Sequence, residues 1–444
     1  METKNMTVGN PAKLIIFFAM PLMLGNVFQQ LYTFVDTMIV GKALGINALA
    51  ALGATEWLTF MLFGTVQGMI QGFSVVMAQR FGANDNIGLR KSVANAIYLS
   101  LAVAIIFTIV GQIMIEPVLK LLETPNQIME LSVTYLRIIY MGIPITITYN
   151  LSAAILRSLG NSKTPLKAMT IASIVNIILD LLFIFILKWG IEGAAVATLL
   201  AQVFSAVFCL LKLREVELLK FHRKELSGDR ELCLRQLKTG VPMGLQNMIT
   251  AIGGLVVQTV INGFGILFIA GFTAANKLYG LLEIAASSYG YAMTTYTGQN
   301  MGAKNYKRIR TGLFMANGIG VITALMMSTI MILGGKTILG CFLAGNEATI
   351  RATIKIGYQF LMILAIFFPL LYILYIIRSC IQGVGNTVLP MISSIIQLLM
   401  RTGCALILPV YIGENGVFWG EVFAWTGADI FLMLSYFYLI RKLK

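Results

Sequence analysis

Charged residues are scarce in this sequence. Only 12% of the 444 residues are charged, whereas 58% are hydrophobic and the mean hydropathy is +0.83. Soluble domains carry about 25% charged residues, so the composition excludes an ordinary soluble protein. The hydrophobic runs are too many for a signal peptide before a soluble body, and the first run lacks a small-residue cleavage site. The sequence therefore predicts a polytopic helical membrane protein.

The residue types that build common catalytic and metal centres are also few. His222 is the single histidine, and the five cysteines are odd in number and lack CxxC spacing. This pattern argues against a disulfide framework, a zinc site or a histidine relay. No GxxxxGK[ST] loop is present, so nothing indicates ATP hydrolysis. We therefore predict that the chain is not an enzyme, binds no cofactor and draws its energy from an ion gradient.

Long hydrophobic stretches are what the sequence has in abundance. A helix needs about 20 apolar residues to cross the hydrocarbon core of a bilayer. The chain contains twelve such stretches, which predict an all-α protein with twelve transmembrane helices. They are approximately 14–40, 50–78, 93–115, 131–153, 168–187, 193–212, 240–262, 266–293, 311–334, 354–377, 388–410 and 416–440.

The gaps between these stretches differ in positive charge. One alternating set holds 24 Lys and Arg residues, with Arg157 and Arg378 counted among them, and the other set holds six. Because cytoplasmic loops are enriched in Lys and Arg, both termini are predicted in the cytoplasm, in a protein of the plasma membrane. The cytoplasmic loops account for the net charge of +14, so no nucleic-acid partner is expected.

A charged segment between the sixth and seventh helices divides the chain nearly in half. It predicts an N-terminal lobe at 1–219, a cytoplasmic linker at 220–238 and a C-terminal lobe at 239–444. The halves repeat: AQRFGAND (78–85) corresponds to GQNMGAKN (298–305), and three further matches have offsets of 220 to 225 residues. Six helices per half predict two pseudo-symmetric lobes about an axis along the membrane normal, an arrangement typical of transporters.

Several polar residues lie inside the predicted spans of the first lobe. With a rise of 1.5 Å per residue, Asp36 lies about 8 Å and Asp180 about 12 Å below the external ends of their helices. Asn176 is one turn deeper than Asp180 on the same face. Thr198 is at a similar depth on the sixth helix. Intramembrane acids mark ion pathways more often than structural contacts, although spacing does not establish that these four residues touch.

Four segments resemble the multidrug and toxic compound extrusion family of bacterial efflux antiporters. They are PLMLGNVFQQLYTFVDTMIVGKALG, AQRFGAND, GQNMGA and LRSLGNSKTP. Their order and spacing match the family from about Pro11 to Lys442. The chain is similar to the branch named for DNA-damage-inducible efflux proteins. It departs from the branch that has acids in the seventh and tenth helices, because 241–260 and 354–377 contain none.

The resemblance implies that Asp36, Asn176, Asp180 and Thr198 form one ion-binding cluster. Paired buried carboxyls can exchange a proton near neutral pH, and the same oxygens can coordinate Na⁺, so both coupling ions remain open. The resemblance also links a proline at the position of Pro21 to bending of the first helix on protonation. A static proline kink is an equally open alternative.

The function implied is secondary active export of amphiphilic, mostly cationic compounds by alternating access, in exchange for H⁺ or Na⁺. A complete duplicated fold needs no obligate protein partner, so a monomer in the lipid bilayer is expected. Two rivals remain open: a flippase for a lipid-linked oligosaccharide or other lipid, and a channel or non-transporting scaffold. Few membrane charges are cationic, which favours the cation exporter over the flippase.

The remaining charged and polar residues of the predicted spans have alternative roles or none assigned. Glu283 either meets a cationic substrate or pairs with Arg401 or Lys277, its nearest charges in depth. Glu56 and Glu421 are expected at the external interface, where water solvates them, and Asp429 has no predicted role. Five polar residues are candidates to face a substrate cleft: Gln29, Gln30, Tyr32, Asn150 and Gln202.

Overall fold

The structure is a computed structural model that describes residues 3–222, 225–341 and 347–442. This part of the chain is helical and contains no strand, so the all-α prediction is confirmed. Its helices are α1 (Pro11–Leu44), α2 (Ile46–Gly82), α3 (Asn86–Leu121), α4 (Asn126–Met141), α5 (Ile143–Ser158), α6 (Lys163–Asp180), α7 (Ile191–Arg214), α8 (Arg230–Asn262), α9 (Ile266–Gly302), α10 (Tyr306–Cys341), α11 (Glu347–Val384), α12 (Val388–Ile412) and α13 (Trp419–Lys442).

The fourth predicted span, 131–153, is broken in the structure. Helices α4 and α5 meet at Gly142 with a bend of 47°. Pro144 lies in the first turn of α5, where its missing N–H costs no hydrogen bond. A proline also disfavours helical geometry at the residue before it. The bend therefore follows from the Gly142–Ile143–Pro144 sequence, and the two helices together occupy one span.

By length and hydropathy, ten helices in the described residues qualify as membrane spans, and the bent pair makes an eleventh. Helix α9 lies at the eighth predicted span and completes the twelve elements. Its second half is rich in Ser, Thr and Tyr, which lowers its mean hydropathy. These polar residues are buried in the protein rather than exposed.

The chain divides into two compact units. The first contains Met1–Met6 and Met20–Gly244, and the second contains Thr7–Ala19 and Leu245–Lys444. The predicted linker at 220–238 needs correction, because α8 already begins at Arg230. Asp229 caps this helix: its carboxylate accepts hydrogen bonds from the backbone N–H groups of Glu231 and Leu232, at 3.1 and 3.2 Å. A capping aspartate stabilises a helix start in this way.

Arg378 was counted among the cytoplasmic loop charges, and this assignment is wrong. It lies within α11 with its side chain 6% exposed. Hydropathy windows place the end of a span where the first charge occurs, but α11 continues to Val384 around a buried guanidinium. The charge asymmetry from which cytoplasmic termini are predicted persists without Arg378.

The segment that precedes α8 is held against α3 within the first unit. The Arg90 guanidinium donates two hydrogen bonds of 2.7 Å to the Glu225 carboxylate. It also donates to the Leu218 carbonyl at 3.4 Å. The Tyr98 hydroxyl donates to the Leu226 carbonyl at 2.8 Å. A bidentate arginine–carboxylate pair is among the stronger ionic contacts in proteins, so it docks this segment in one orientation.

Docking of this segment is expected to survive mild acid and to fail only in strong acid. Hydrogen bonds from Arg90, and then from the His222 backbone N–H, lower the pKa of Glu225 from its ordinary value of 4.5 to about 2. A lowered pKa stabilises the docked form above the ordinary value, and this contribution is lost as the pH falls toward 2. Hydrogen exchange of residues 217–222, corrected for the intrinsic pH dependence, should show that profile. Glu225→Gln should lack protection already at neutral pH, and unchanged protection would contradict the docking role.

Helices α2 and α8 approach closely at paired glycines in the first unit. A Cβ at Gly72 would lie 2.4 Å from the Cα of Gly240 and 2.6 Å from its backbone nitrogen. The Thr239 hydroxyl donates to the Gly72 carbonyl at 2.9 Å across this contact. Small residues permit such backbone approach between membrane helices, where packing and interhelical hydrogen bonds replace the hydrophobic effect.

Gly72→Ala is therefore expected to destabilise the protein by about 1–3 kcal/mol, because the methyl group forces the two backbones apart. A lower midpoint in a thermal unfolding assay of the purified protein would show this. Gly53→Ala is the matched control on the same helix, since a Cβ there has no neighbour within 4 Å. That control should keep or slightly raise the midpoint, because glycine weakens a helix interior. Equal midpoints for both variants would contradict the close-approach argument.

Candidate functional site

The first unit buries a carboxyl group at the end of α6. Asp180 has no exposed surface, and neither of its carboxyl oxygens has a hydrogen-bond partner among the described residues. One turn earlier, Asn176 is 1% exposed, and both polar atoms of its amide are likewise unpartnered. Buried polar groups without partners cost free energy, so they are expected to meet a proton, an ion or water.

The backbone changes its geometry immediately after this acid. Residues Leu181–Ile186 continue α6 as a π-helical turn, and the Leu187 N–H donates to the Leu182 carbonyl at 2.9 Å. The wider turn inserts an extra residue and ends at Leu187, where the chain turns toward α7. Short π-helical segments occur frequently at functional sites. This one places Asp180 at the junction between two helical geometries.

Asp36 of α1 faces Asp180. The two side chains lie within interaction range of each other, and the Oδ1 atom of Asp36 is buried without a partner. The phenol rings of Tyr32 and Tyr135 lie within electrostatic range of both carboxyls. Two carboxylates at short range repel each other, so such a pair favours a bound proton or cation.

A cavity of about 250 Å³ lies beside this pair, entirely within the first unit. Asn176 and Thr198 are on its wall, whereas Asp36 and Asp180 are not among its lining residues. The other lining residues are Pro21, Leu22, Gly25, Asn26, Gln29, Tyr32, Phe63, Gln67, Thr146, Tyr149, Asn150, Arg157, Pro165, Leu166, Met169, Ala172, Ser173, Ala201, Gln202 and Ser205. The mixed polar and apolar lining suits an amphiphilic small molecule.

The structure thus brings the two predicted acids together and places the two predicted polar residues at the adjoining wall. The Thr198 hydroxyl donates to the Ala194 carbonyl at 3.0 Å, which leaves its lone pairs available to a ligand. Among the described contacts, neither carboxyl accepts a hydrogen bond from Thr198 or Asn176. The four-residue ion cluster therefore stays a prediction, and the Asp36–Asp180 pair is its observed part.

Four of the five polar residues suggested for a substrate cleft line this cavity. They are Gln29, Tyr32, Asn150 and Gln202; Gln30 is not on the wall. Arg157 is a lining residue that the sequence analysis assigned to a cytoplasmic loop. The sequence signal was the apolar stretch LSAAIL before it, from Leu151 to Leu156, which is buried in α5 and runs up to Arg157. Pro21 also lines the cavity inside α1, and its link to helix bending remains a prediction.

The acids of the second unit are arranged differently from the prediction. The Tyr375 hydroxyl donates to Glu283 at 2.5 Å. Arg401 forms its ion pair with Glu421 at 2.7 Å, rather than with Glu283. Water is therefore not the only partner of Glu421, because α12 supplies a counter-ion; its position at the external interface stays a prediction. A substrate contact for Glu283 stays a prediction.

Comparison with known proteins identifies the family of the chain. The MatE family profile matches residues 21–182 and 242–407. The probable multidrug resistance protein YpnP of Bacillus subtilis (strain 168) is 28% identical over 418 residues, which cover 94% of this chain and 93% of the relative.

Two solved structures superpose with a TM-score of 0.93 at 26% identity, covering 100% of this chain and 99% of theirs. They are a MOP superfamily transporter from Pyrococcus furiosus Vc1 and an outward-facing multidrug resistance MATE family transporter. These matches confirm the predicted class of twelve membrane helices in two lobes. The chain belongs to the MatE family, the multidrug and toxic compound extrusion transporters.

Proposed function

We propose that this protein is a secondary active multidrug exporter. It moves amphiphilic, mostly cationic compounds out of the cell in exchange for H⁺ or Na⁺, by alternating access. It works as a monomer in the plasma membrane with both termini in the cytoplasm, and it needs neither a cofactor nor a protein partner. Similarity to YpnP, named as a probable multidrug resistance protein, supports the multidrug substrate class.

One observation carries the ion-coupling part of this proposal. Asp180 is fully buried, lacks a hydrogen-bond partner among the described residues and lies within interaction range of Asp36. A structural acid in a membrane helix would be expected to satisfy its oxygens with protein donors. This pair leaves them for a mobile ligand instead. The cavity next to the pair gives that ligand and an organic compound adjacent places in one unit.

Both candidate coupling ions fit the donor set. Two carboxyls, the Asn176 amide oxygen and the Thr198 hydroxyl oxygen are hard oxygen ligands of the kind that Na⁺ accepts. The same two carboxyls can share a single proton, as closely spaced acids do. In either case the bound ion removes negative charge beside the cavity, which lowers the affinity for a cationic compound. Because linkage is reciprocal, the bound compound lowers the affinity for the ion by the same factor.

The experiment that tests this function is transport of ethidium in proteoliposomes containing the full chain. A proton gradient and a sodium gradient are imposed separately, each with the electrical potential clamped. Movement of ethidium against its own concentration gradient under one of them would establish antiport and identify the ion. Protein-free vesicles and vesicles with a collapsed gradient are the controls.

Two outcomes would overturn the proposal. Passive ethidium flux that ignores both gradients would indicate a channel. If neither gradient moved ethidium, the lipid flippase would become the leading alternative. That alternative is tested in the same vesicles by the transfer of a labelled lipid-linked oligosaccharide between leaflets.

A further inference from the structure

The second unit contains a buried carboxyl group that none of the roles described so far uses. Asp429 lies on α13 with 3% of its surface exposed, and neither of its oxygens has a hydrogen-bond partner among the described residues. Helix α13 packs against α11 and α12, so the acid is enclosed by protein. An ionised carboxylate in this position would lack the donors that normally stabilise it.

The nearest counter-charge is the guanidinium of Arg378 on α11, which acts electrostatically on Asp429. The two side chains do not form an ion pair within the described structure. Arg378 instead donates a long hydrogen bond of 3.4 Å to the Ser393 hydroxyl, its Nε atom has no partner, and its guanidinium lies 6.0 Å from the centre of the Tyr375 ring. The Arg378 guanidinium therefore has N–H donors that are not bonded to any carboxylate in the described structure.

Arg378 also lies within electrostatic range of a second acid, Glu283 on α9. Glu283 differs from Asp429 because it has a donor: the Tyr375 hydroxyl lies 2.5 Å away, and the Tyr279 hydroxyl is close by. These donors favour the carboxylate form of Glu283 over that of Asp429, which has no donor among the described residues. Of the two acids that share Arg378, Glu283 is thus suited to carry the negative charge.

The charges of the surrounding helices also favour a neutral Asp429. Arg401 of α12 pairs with Glu421 at 2.7 Å and acts on Glu283 at longer range, but it is not among the charges that act on Asp429. Two guanidinium groups then face three carboxyls, Glu283, Glu421 and Asp429, because Lys277 of α9 is exposed and is not among the charges that act on Glu283 or Asp429. In a bundle where buried charges must be paired, one carboxyl has to be neutral, and Asp429 is the one without donors.

We propose that Asp429 is a second proton-binding site, held by the C-terminal unit and separate from the Asp36–Asp180 pair. In the described structure its carboxyl group is protonated, which balances the Glu283, Glu421, Arg378 and Arg401 charges. On deprotonation the carboxyl O–H bond breaks and the proton passes to water. The new carboxylate attracts the Arg378 guanidinium away from Ser393, so protonation of Asp429 controls whether Arg378 forms an ion pair with it. This inference does not depend on transport activity.

Infrared difference spectroscopy of the purified full chain tests the site directly, because a protonated carboxyl has its own carbonyl-stretch band. The Asp36→Asn/Asp180→Asn double variant removes the contribution of the N-terminal pair. In this background at neutral pH, we expect a protonated-carboxyl band that shifts on deuteration. Adding Asp429→Asn should abolish the band. Adding Glu414→Gln, which changes an exposed acid of the same unit, should leave it unchanged.

Arg378→Gln is expected to strengthen the protonated-carboxyl band, the opposite of the effect of Asp429→Asn. Without this guanidinium a second carboxyl in the unit must become neutral, so the band should grow about twofold. Size-exclusion chromatography and circular dichroism confirm that each variant is folded. Absence of the band from the double-variant background would overturn the proposal. A band that survives Asp429→Asn but disappears with Glu283→Gln would also overturn it, since the proton would then belong to Glu283.

Discussion

Replacing Asp180 by asparagine is expected to uncouple the exporter. Asparagine keeps the size of the side chain but neither takes up nor releases a proton, and it removes one of the two negative charges that face each other. Because an ion gradient drives accumulation only through the coupling free energy between the ion and the compound, gradient-driven ethidium accumulation should fall to the level of protein-free vesicles. The measurement is the initial rate in proteoliposomes under the gradient that drives the wild type.

Asp36→Asn should give the same loss, and the double variant should be no worse than either single variant. Residues that act as one unit are non-additive in this way, because either substitution already removes the shared proton or ion. Glu116→Gln is the matched control, since this acid of the same unit is half exposed and pairs with Arg137 at 2.6 Å. If Asp180→Asn retained full coupled transport, the acid pair would not be the coupling site.

Ethidium binding measured without a gradient shows whether a lower transport rate comes from lost ion coupling or from lost substrate binding. If the pair only couples the ion, ethidium binding to detergent-solubilised Asp180→Asn should persist without a gradient. Its dependence on pH or Na⁺ should disappear. If the variant lost binding altogether, Asp180 would be a substrate contact instead of an ion site. Tryptophan fluorescence or anisotropy of the bound dye distinguishes these results.

The helices and their grouping were predictable from the sequence because hydrophobic length is a strong signal. A run of about 20 apolar residues has few alternatives to a membrane helix, and eleven of the twelve stretches became continuous helical elements. The exception is the fourth stretch, which is broken into α4 and α5 by one Gly–Ile–Pro tripeptide. Hydropathy does not register such a local break, because the residues at the bend are themselves apolar.

The pairing of charges was less predictable, for a physical reason. Depth along a helix follows from residue counting, but the direction of a side chain depends on how the helices pack. Depth alone made Glu283 and Arg401 plausible partners, yet Arg401 contacts Glu421 and Glu283 accepts from Tyr375. The resemblance to a known family supplied the missing information for Asp36 and Asp180, and no comparable information existed for Asp429.

Arg157 and Arg378 show the same limit of sequence-based prediction for positively charged residues. Both were read as loop charges, because positive residues near the end of a hydrophobic run usually lie in the cytoplasm. In the structure, Arg157 lines the cavity of the first unit and Arg378 is buried in the second. A membrane arginine inside a bundle needs carboxylates, aromatic rings or polar side chains around it, and these become visible only when the packing is known.

Ala201→Phe is expected to close the cavity to substrates. Ala201 is buried on α7 and lies on the cavity wall beside Gln202. A phenyl ring in place of its methyl group would occupy space that a flat organic cation needs. Since about one methylene alters recognition in a fitted pocket by 10- to 200-fold, the loss of ethidium affinity should be at least of this order. Equilibrium binding to the purified protein measures it.

Leu200→Phe is the matched control for this substitution. It introduces the same ring one residue earlier on α7, where the side chain is 43% exposed and points away from the cavity wall. Ethidium binding should be unchanged in that variant. If Ala201→Phe bound ethidium as well as Leu200→Phe did, the compound would have to bind outside the cavity of the first unit. The ion and the compound would then not bind side by side in the first unit, even if the acid pair still carried the coupling ion.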